Sequence, residues 1–270
     1  MPEIPRSHWR DAELVYAHGL IKGRTGLEEI YEDHLRGSYG ERVYEINAMG
    51  KLVQSLSITK PLKGSDLHTN LDIEAQKSAA KFLGNRRGAV VAIDLDSGGI
   101  NVLYSSPTYS INQLSNGMNE DDFQILINDP DKPFFNRALK GRYPPASTIK
   151  PAIGMYGVSN NIVNWDFEMK DPGFFTLPET GRVFRGWRKG GHGKVNMHKA
   201  FLVSSNTYFF SLAYQADIEE LSSHLTSLGF GQKVCLDCFD EDQALVPTPE
   251  WKYSIMNAGW VKGDTVNLGV

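Results

Sequence analysis

Two serines, a lysine and an asparagine carry the chemistry most readily read from this chain. Ser147 and Lys150 lie three residues apart in the run Tyr143-Pro-Pro-Ala-Ser-Thr-Ile-Lys-Pro151. On a helix, residues i and i+3 share a face, so this spacing sets an amine beside a hydroxyl. A serine hydroxyl is a weak nucleophile until something takes its proton. A lysine can take it only where burial or a neighbouring cation depresses its pKa. The simpler alternative is a serine capping the helix start, with an exposed lysine one turn on. A second constellation, Leu202-Val-Ser-Ser-Asn-Thr-Tyr208, places Ser204 and Asn206 between two apolar helical runs. There a hydroxyl can relay a proton and an amide can hold a substrate carbonyl or the lysine itself. Capping by Ser205 or Asn206 is the competing reading of that stretch.

These residues need elements to hold them. Helical periodicity predicts segments over 147–158, 197–203, 207–216 and 219–228, the last closed by Gly229. Pro151 falls among the first helical positions, whose N–H groups have no intrahelical partner, so it costs no hydrogen bond there. Upstream, 88–95 and 100–105 alternate as strands joined by Asp96-Ser-Gly-Gly99, which predicts an antiparallel hairpin. Residues 71–83 carry helical spacing after a turn-rich connector at 60–65. The first sixty residues hold short alternating pieces, Arg42–Ile46 and Lys51–Leu56, and read as a small β-containing module. The division expected is 1–65 and 66–270, and strands followed by helices predict an α+β fold.

Composition bounds the partners. At 270 residues, with 41% hydrophobic and 22% charged side chains, the chain can bury a core without staples and is not a disordered or fibrous polymer. A net charge of −4 with no basic run argues against nucleic acid. No stretch approaches the roughly 18–20 apolar residues of a membrane span, and Met1–Glu13 lacks a signal-peptide pattern. Cys235 and Cys238 form a lone CxxC. Asp237, Asp240 and Asp242 are unpersuasive co-ligands, so two ordinary thiols are expected there. His192, between two glycines, is expected to be a loop imidazole bonded to backbone rather than a general base. Trp187, Trp251 and Trp260 are expected to anchor a core or a groove wall.

The pair Ser147-x-x-Lys150 and Ser204-x-Asn206 resembles the first two motifs of the penicillin-binding proteins, serine acyltransferases of the cell wall. The likeness is strongest to their class B, penicillin-binding protein 2 type. It extends to Gly26-Leu-Glu-Glu-Ile-Tyr-Glu-Asp-His-Leu-Arg-Gly37, Asn136-Arg-Ala138, Asp171-Pro-Gly-Phe-Phe175, Gly191-His-Gly193 and Trp260-Val-Lys-Gly-Asp-Thr265. The resemblance implies an α+β transpeptidase domain of the serine β-lactamase-like type, C-terminally truncated, behind part of a non-catalytic dimerisation or pedestal module. It implies that Ser147 is acylated, that Lys150 accepts its proton, and that Ser204 and Asn206 form the second motif. The third motif, a Lys-Ser/Thr-Gly strand, does not occur, so an edge of the cleft is expected to be missing.

The same resemblance implies a peptidoglycan D,D-transpeptidase that acts on stem peptides ending in D-Ala-D-Ala and is trapped by β-lactams. It also implies a membrane glycosyltransferase partner of the elongation machinery and a place on the periplasmic face of the bacterial inner membrane, with the anchor outside this chain. The alternatives are a catalytically incompetent fragment or interaction module, and a β-lactamase-like hydrolase. No cofactor is expected. In some relatives Asp171 and His192 correspond to structural zinc ligands. Here Gly186 stands where a further acidic ligand would fall and Ser205 where a cysteine would, so no metal is expected.

Overall fold

The computed structural model describes residues 22–270. The first 21 residues of the expected N-terminal module, Met1–Glu13 among them, lie outside the described residues. Backbone contacts divide the chain into two units, one holding residues up to Gly141 together with Cys235–Glu241, the other Arg142–Val234 and Asp242–Val270.

The first unit begins with two short helices, α1 (Gly26–Ile30) and α2 (Glu32–Arg36), and an antiparallel hairpin of β1 (Glu41–Ile46) and β2 (Leu52–Thr59). The Asn47 side chain closes the hairpin turn by accepting from the Met49 and Lys51 N–H groups, the local bonding that makes asparagine a turn residue. Helix α3 (Ile73–Leu83) starts where the Asp72 carboxylate accepts from the N–H groups of Glu74 and Ala75. Strands β3 (Gly88–Ile93) and β4 (Ile100–Ser106) form the expected hairpin, its turn tied by the Asp94 carboxylate to Ser97 and released by Gly98 at φ 72°. Gln76 on α3 bonds both backbone groups of Leu103, so the helix takes up part of the β4 edge. Three further helices follow: α4 (Ile111–Ser115), α5 (Glu120–Asn128) and α6 (Arg137–Lys140).

Cys235 and Cys238 correct the sequence expectation of two thiols: they are joined in a disulfide. The intervening turn brings their Cα atoms to 5.2 Å, inside the range a disulfide spans.

The second unit carries the motifs. A 3-10 turn (Ala146–Ile149) leads into α7 (Lys150–Ser159), so the α-helix starts at Lys150 and not at Ser147. Four short strands, β5 (Met169–Asp171), β6 (Phe174–Thr176), β7 (Val183–Arg185) and β8 (Gly193–Val195), pair antiparallel as β5 with β8 and β6 with β7. Then come α8 (Met197–Leu202), α9 (Asn206–Gln215), α10 (Ile218–Ser227), α11 (Pro249–Met256) and α12 (Lys262–Leu268). With every pairing among the described strands antiparallel, the architecture is α+β and not a parallel α/β sheet.

The core of this unit packs Ile153 and Tyr156 of α7 against Tyr208, Phe209 and Leu212 of α9, with Leu221 and Leu225 of α10. Helix α7 can lie this close because it carries Gly154 and Gly157. A Cβ at Gly157 would stand 2.7 Å from Leu212 Cδ1 and 3.1 Å from Val163 Cγ2, both on buried side chains. A Cβ at Gly154 would meet only the Cζ end of half-buried Phe201, at 2.8 Å.

Alanine lacks the conformational penalty of glycine in a helix, about 1 kcal/mol, but overpacking a core costs about 1–3 kcal/mol. Because Leu212 and Val163 have nowhere to go, Gly157→Ala is expected to destabilise the protein in urea unfolding by roughly 1–2 kcal/mol net. Gly154→Ala is expected to cost less, and equal stability of Gly157→Ala and the parent would show that the α7–α9 contact is not tight.

Candidate active site

Two prolines deliver the chain to Ala146, which adopts φ 48°, a left-handed conformation that a residue with a Cβ rarely takes. The 3-10 turn that follows leaves Ser147 exposed at its outer side, while Lys150, at the first position of α7, is only 2% exposed. Ser147 therefore does not cap α7. Its neighbour Ile149 occupies the cap position, with no side-chain bond.

The second segment approaches from the α8–α9 junction. After α8 the chain turns back through bonds from Ser204 N–H to the Phe201 carbonyl (3.1 Å) and from Ser205 N–H to the Ala200 carbonyl (2.8 Å). Ser204 sits at φ 50°, a second strained position, which costs of order 1–3 kcal/mol and persists only where the surroundings over-determine it. Ser205 caps α9 by accepting from Tyr208 N–H. The cap reading thus applies to Ser205 and leaves Ser204 and Asn206 free for other bonds.

These segments converge on Lys150. Its Nζ lies 3.0 Å from Ser204 Oγ, 3.1 Å from the Ser204 carbonyl and 2.7 Å from Asn206 Oδ1, and 5.3 Å from the centre of the Phe209 ring. Ser204 Oγ lies 3.0 Å from Ser147 Oγ. Sequence spacing had predicted that Ser147 and Lys150 bond each other. No such bond is recorded, and Ser204 stands between them, touching both. A 3-10 turn keeps i and i+3 on one face, but the Lys150 amine is taken up by Ser204 and Asn206, and Ser147 reaches it through the Ser204 hydroxyl.

Burial pushes the Lys150 amine down to about 8, and no ion pair among the described residues includes it. All three of its acceptors are neutral. A carboxylate neighbour would hold the proton on, so this environment satisfies the amine's N–H groups without locking its charge.

Behind this cluster lies a second one. Asp171, at the end of β5 and 2% exposed, accepts from Ser205 Oγ at 2.6 Å, from Gly173 N–H at 2.7 Å, and from His192 Nδ1 at 2.8 Å. Burial raises its pKa, but the hydrogen bonds from Ser205, His192 and Gly173 outweigh that and hold the carboxyl below its ordinary value. Thr207 lies close enough to favour the ionised form, although its hydroxyl makes no hydrogen bond of normal geometry. His192 corrects the sequence expectation: its ring partner is the Asp171 carboxylate, not backbone. Sequence reasoning could not see this because 21 residues and two strands separate them.

The donor set does not fit structural zinc. His192 Nε2 is buried without a partner, but Asp171 is engaged by Nδ1 as an orienting group. Gly186 offers no side chain, and Ser205 offers a hydroxyl already given to Asp171. Zinc holds four ligands in structural sites. Among the described residues, the only convergent group of three His, Cys, Asp or Glu side chains is Cys235, Asp237 and Cys238, where the two sulfurs are joined to each other. Of the tryptophans, Trp187 is 65% exposed, unlike a core anchor. Its Nε1 donates to the Val203 carbonyl at 3.1 Å, and its ring stands 5.3 Å from that of His192. Trp251 and Trp260 are half-buried.

Comparison with known proteins gives this geometry a context. The model of the penicillin-binding protein transpeptidase domain matches residues 88–270, and that of the penicillin-binding protein dimerisation domain matches residues 2–69. The chain is 41% identical over 256 residues to the peptidoglycan D,D-transpeptidase MrdA of Acinetobacter baumannii, covering 95% of this chain and 38% of that protein. It is 35% identical over 248 residues to the protein of that name in Escherichia coli K12, covering 92% and 39%. Among solved structures, the complex between a penicillin-binding protein (PBP2) and MreC from Helicobacter pylori superposes with a TM-score of 0.85 at 32% identity, over 92% of this chain and 47% of that one. Pseudomonas aeruginosa PBP2 in complex with WCK 5153 gives 0.81 at 34%, over 92% and 52%. The chain spans about two fifths of the length of these curated relatives. With more than half of its residues matched by the transpeptidase model and its Ser-x-x-Lys and Ser-x-Asn segments meeting at one amine, the chain belongs to the penicillin-binding protein transpeptidase family.

Proposed function

We propose that this chain supplies the nucleophile and proton-transfer half of a peptidoglycan D,D-transpeptidase, with Ser147 as nucleophile, Lys150 as base, Ser204 as relay and Asn206 as the residue that orients the lysine. The observation that carries the reading is the unbroken set of contacts from Ser147 Oγ through Ser204 Oγ to Lys150 Nζ and on to Asn206 Oδ1.

The chemistry follows from these contacts. With Lys150 in its amine form, the Ser147 proton passes to Ser204 Oγ while the Ser204 proton passes to Nζ, leaving Lys150 as an ammonium. Ser147 Oγ bonds to the carbonyl carbon of the penultimate D-Ala of a stem peptide. The peptide C–N bond breaks, and the relay run backwards delivers the proton to the departing D-Ala amine. An amine from a second stem then attacks the acyl-enzyme, gives up its proton by the same route and releases Ser147. The Ser147 N–H, at the start of a helical run, is one oxyanion donor. The other, and the group that binds the substrate carboxylate, belong to a Lys-Ser/Thr-Gly strand that these 270 residues do not contain. A β-lactam carbonyl meets the same nucleophile.

Further parts of the reading rest on the relatives. A boundary near residue 65 is supported by the two model matches, which end at 69 and begin at 88. The dimerisation-type match also favours the synthetic enzymes over a β-lactamase-like hydrolase. Among the described residues no helix is long and apolar enough to cross a membrane, so attachment to the inner membrane and a glycosyltransferase partner in the elongation machinery would use residues elsewhere. The Cys235–Cys238 disulfide favours an oxidising compartment such as the periplasm.

Two predictions test the assignment in the intact protein. Fluorescent penicillin is expected to label Ser147, with labelling lost in Ser147→Ala; a labelled Ser147→Ala protein would remove Ser147 from the mechanism. Because the amine is the active form, the acylation rate is expected to rise as pH passes through about 8 and to level above it. In Lys150→Ala that limb should disappear and the rate fall by about 10²–10⁴-fold, whereas an unchanged profile would take the base role from Lys150.

A further inference from the structure

The geometry points to Asp171 as a positioning residue that, through Ser205, fixes Ser204 and Asn206 against Lys150 without a metal. The inference rests on the acyl-transfer reading above and extends it to residues that neither Ser-x-x-Lys nor Ser-x-Asn specifies.

Ser205 is the pivot. It lies between the two motif residues, is fully buried, and spends its hydroxyl on Asp171 Oδ2 at 2.6 Å while accepting from Tyr208 N–H at 3.2 Å. One side chain thus ties the start of α9 to the end of β5, two elements 34 residues apart in sequence. Asp171 is itself held by Gly173 N–H and His192 Nδ1, and at Gly191 a Cβ would fall 2.1 Å from the Asp171 backbone carbonyl, so the His192 loop packs directly on the backbone that carries Asp171. A second tie holds the other flank of the turn, where Trp187 Nε1 donates to the Val203 carbonyl.

What needs such holding is Ser204. It sits at φ 50°, and its hydroxyl must stay within 3.0 Å of both Ser147 Oγ and Lys150 Nζ for a proton to pass. A strained turn between two helices relaxes unless something over-determines it. Its own backbone bonds run back to α8, at Phe201 and Ala200. The Asp171–Ser205 bond adds an anchor outside both helices, on the residue directly between Ser204 and Asn206. Asp171, the Ser205 hydroxyl and His192 Nδ1 are spent on one another here, while His192 Nε2 is left without a partner. The carboxylate–hydroxyl–imidazole contacts supply the rigidity a metal would.

The test compares Ser205→Ala, Asp171→Asn and the double variant in the intact protein by β-lactam acylation, with the non-covalent dissociation constant separated from the acylation rate constant. A displacement of about 1 Å can cost about 10²-fold in rate, so Ser205→Ala is expected to lower the acylation rate constant by about 10- to 100-fold and to leave the dissociation constant within about threefold. The double variant is expected to be no slower than the slower single one, because both break the same tie. Ser205→Ala removes a single hydroxyl and serves as the readout should Asp171→Asn fold poorly. Additive losses, an unchanged rate constant, or a loss confined to binding would overturn the proposal. Metal analysis of the purified protein is expected to find no stoichiometric zinc and chelation to leave acylation unchanged. Stoichiometric zinc that is lost in His192→Ala would also overturn it. A crystal structure of Ser205→Ala that still holds Ser204 Oγ on both Ser147 and Lys150 would refute positioning whatever the kinetics. Failure of the parent to label at Ser147 would count against the acyl-transfer reading instead.

Discussion

The second unit is organised around one buried amine. Lys150 is 2% exposed, and an ammonium moved out of water without a counter-charge is costly, so the surrounding structure must either pair it, satisfy it or let it lose its proton. This protein does the second and the third. Three neutral oxygens from a single turn meet the N–H groups, and the amine is pushed down to about 8. The same burial that a stability argument would count as a cost creates the base that acyl transfer needs. Its conformational consequences are visible on both sides, in the left-handed residues Ala146 and Ser204 that bracket the serine–lysine pair.

Packing explains why the arrangement can exist. The α7 helix carries Lys150 on its first turn, and α9 carries Asn206 on its own, so the distance between the two helix starts sets the distance between amine and amide. That distance is fixed further along by the contact of Gly157 with Leu212 and by the aromatic side chains of Tyr208 and Phe209 in the core. Phe209 serves twice, filling the core and presenting its ring 5.3 Å from the Lys150 nitrogen.

Much of this was legible in the amino-acid sequence, for stated reasons. The hairpin at Gly88–Ser106 follows from alternation and a glycine-containing turn, and α8, α9 and α10 follow from period and caps, because both signals are local. The motif serines were singled out by the resemblance to the penicillin-binding proteins, since spacing alone left helix capping as a competing reading. The Asp171–Ser205 contact was not, since residues 34 apart meet only through the β5–β8 ladder and the α8–α9 turn, and no pattern along the chain encodes that meeting. Spacing sets Ser147 beside Lys150 but says nothing of Ser204, 54 residues beyond the lysine, whose hydroxyl stands between the two. The CxxC was read as two thiols because spacing alone does not distinguish a reduced pair from a closed one.

The account stands or falls on the charge of Lys150 near neutral pH, and a direct titration reads it. In the intact protein, the Lys150 side chain followed by NMR through its own isotope-resolved resonance, assigned by comparison with Lys150→Arg, is expected to titrate near 8. A midpoint at the ordinary lysine value of about 10.4 would mean that burial has not made Lys150 a base, and would contradict its role in acyl transfer.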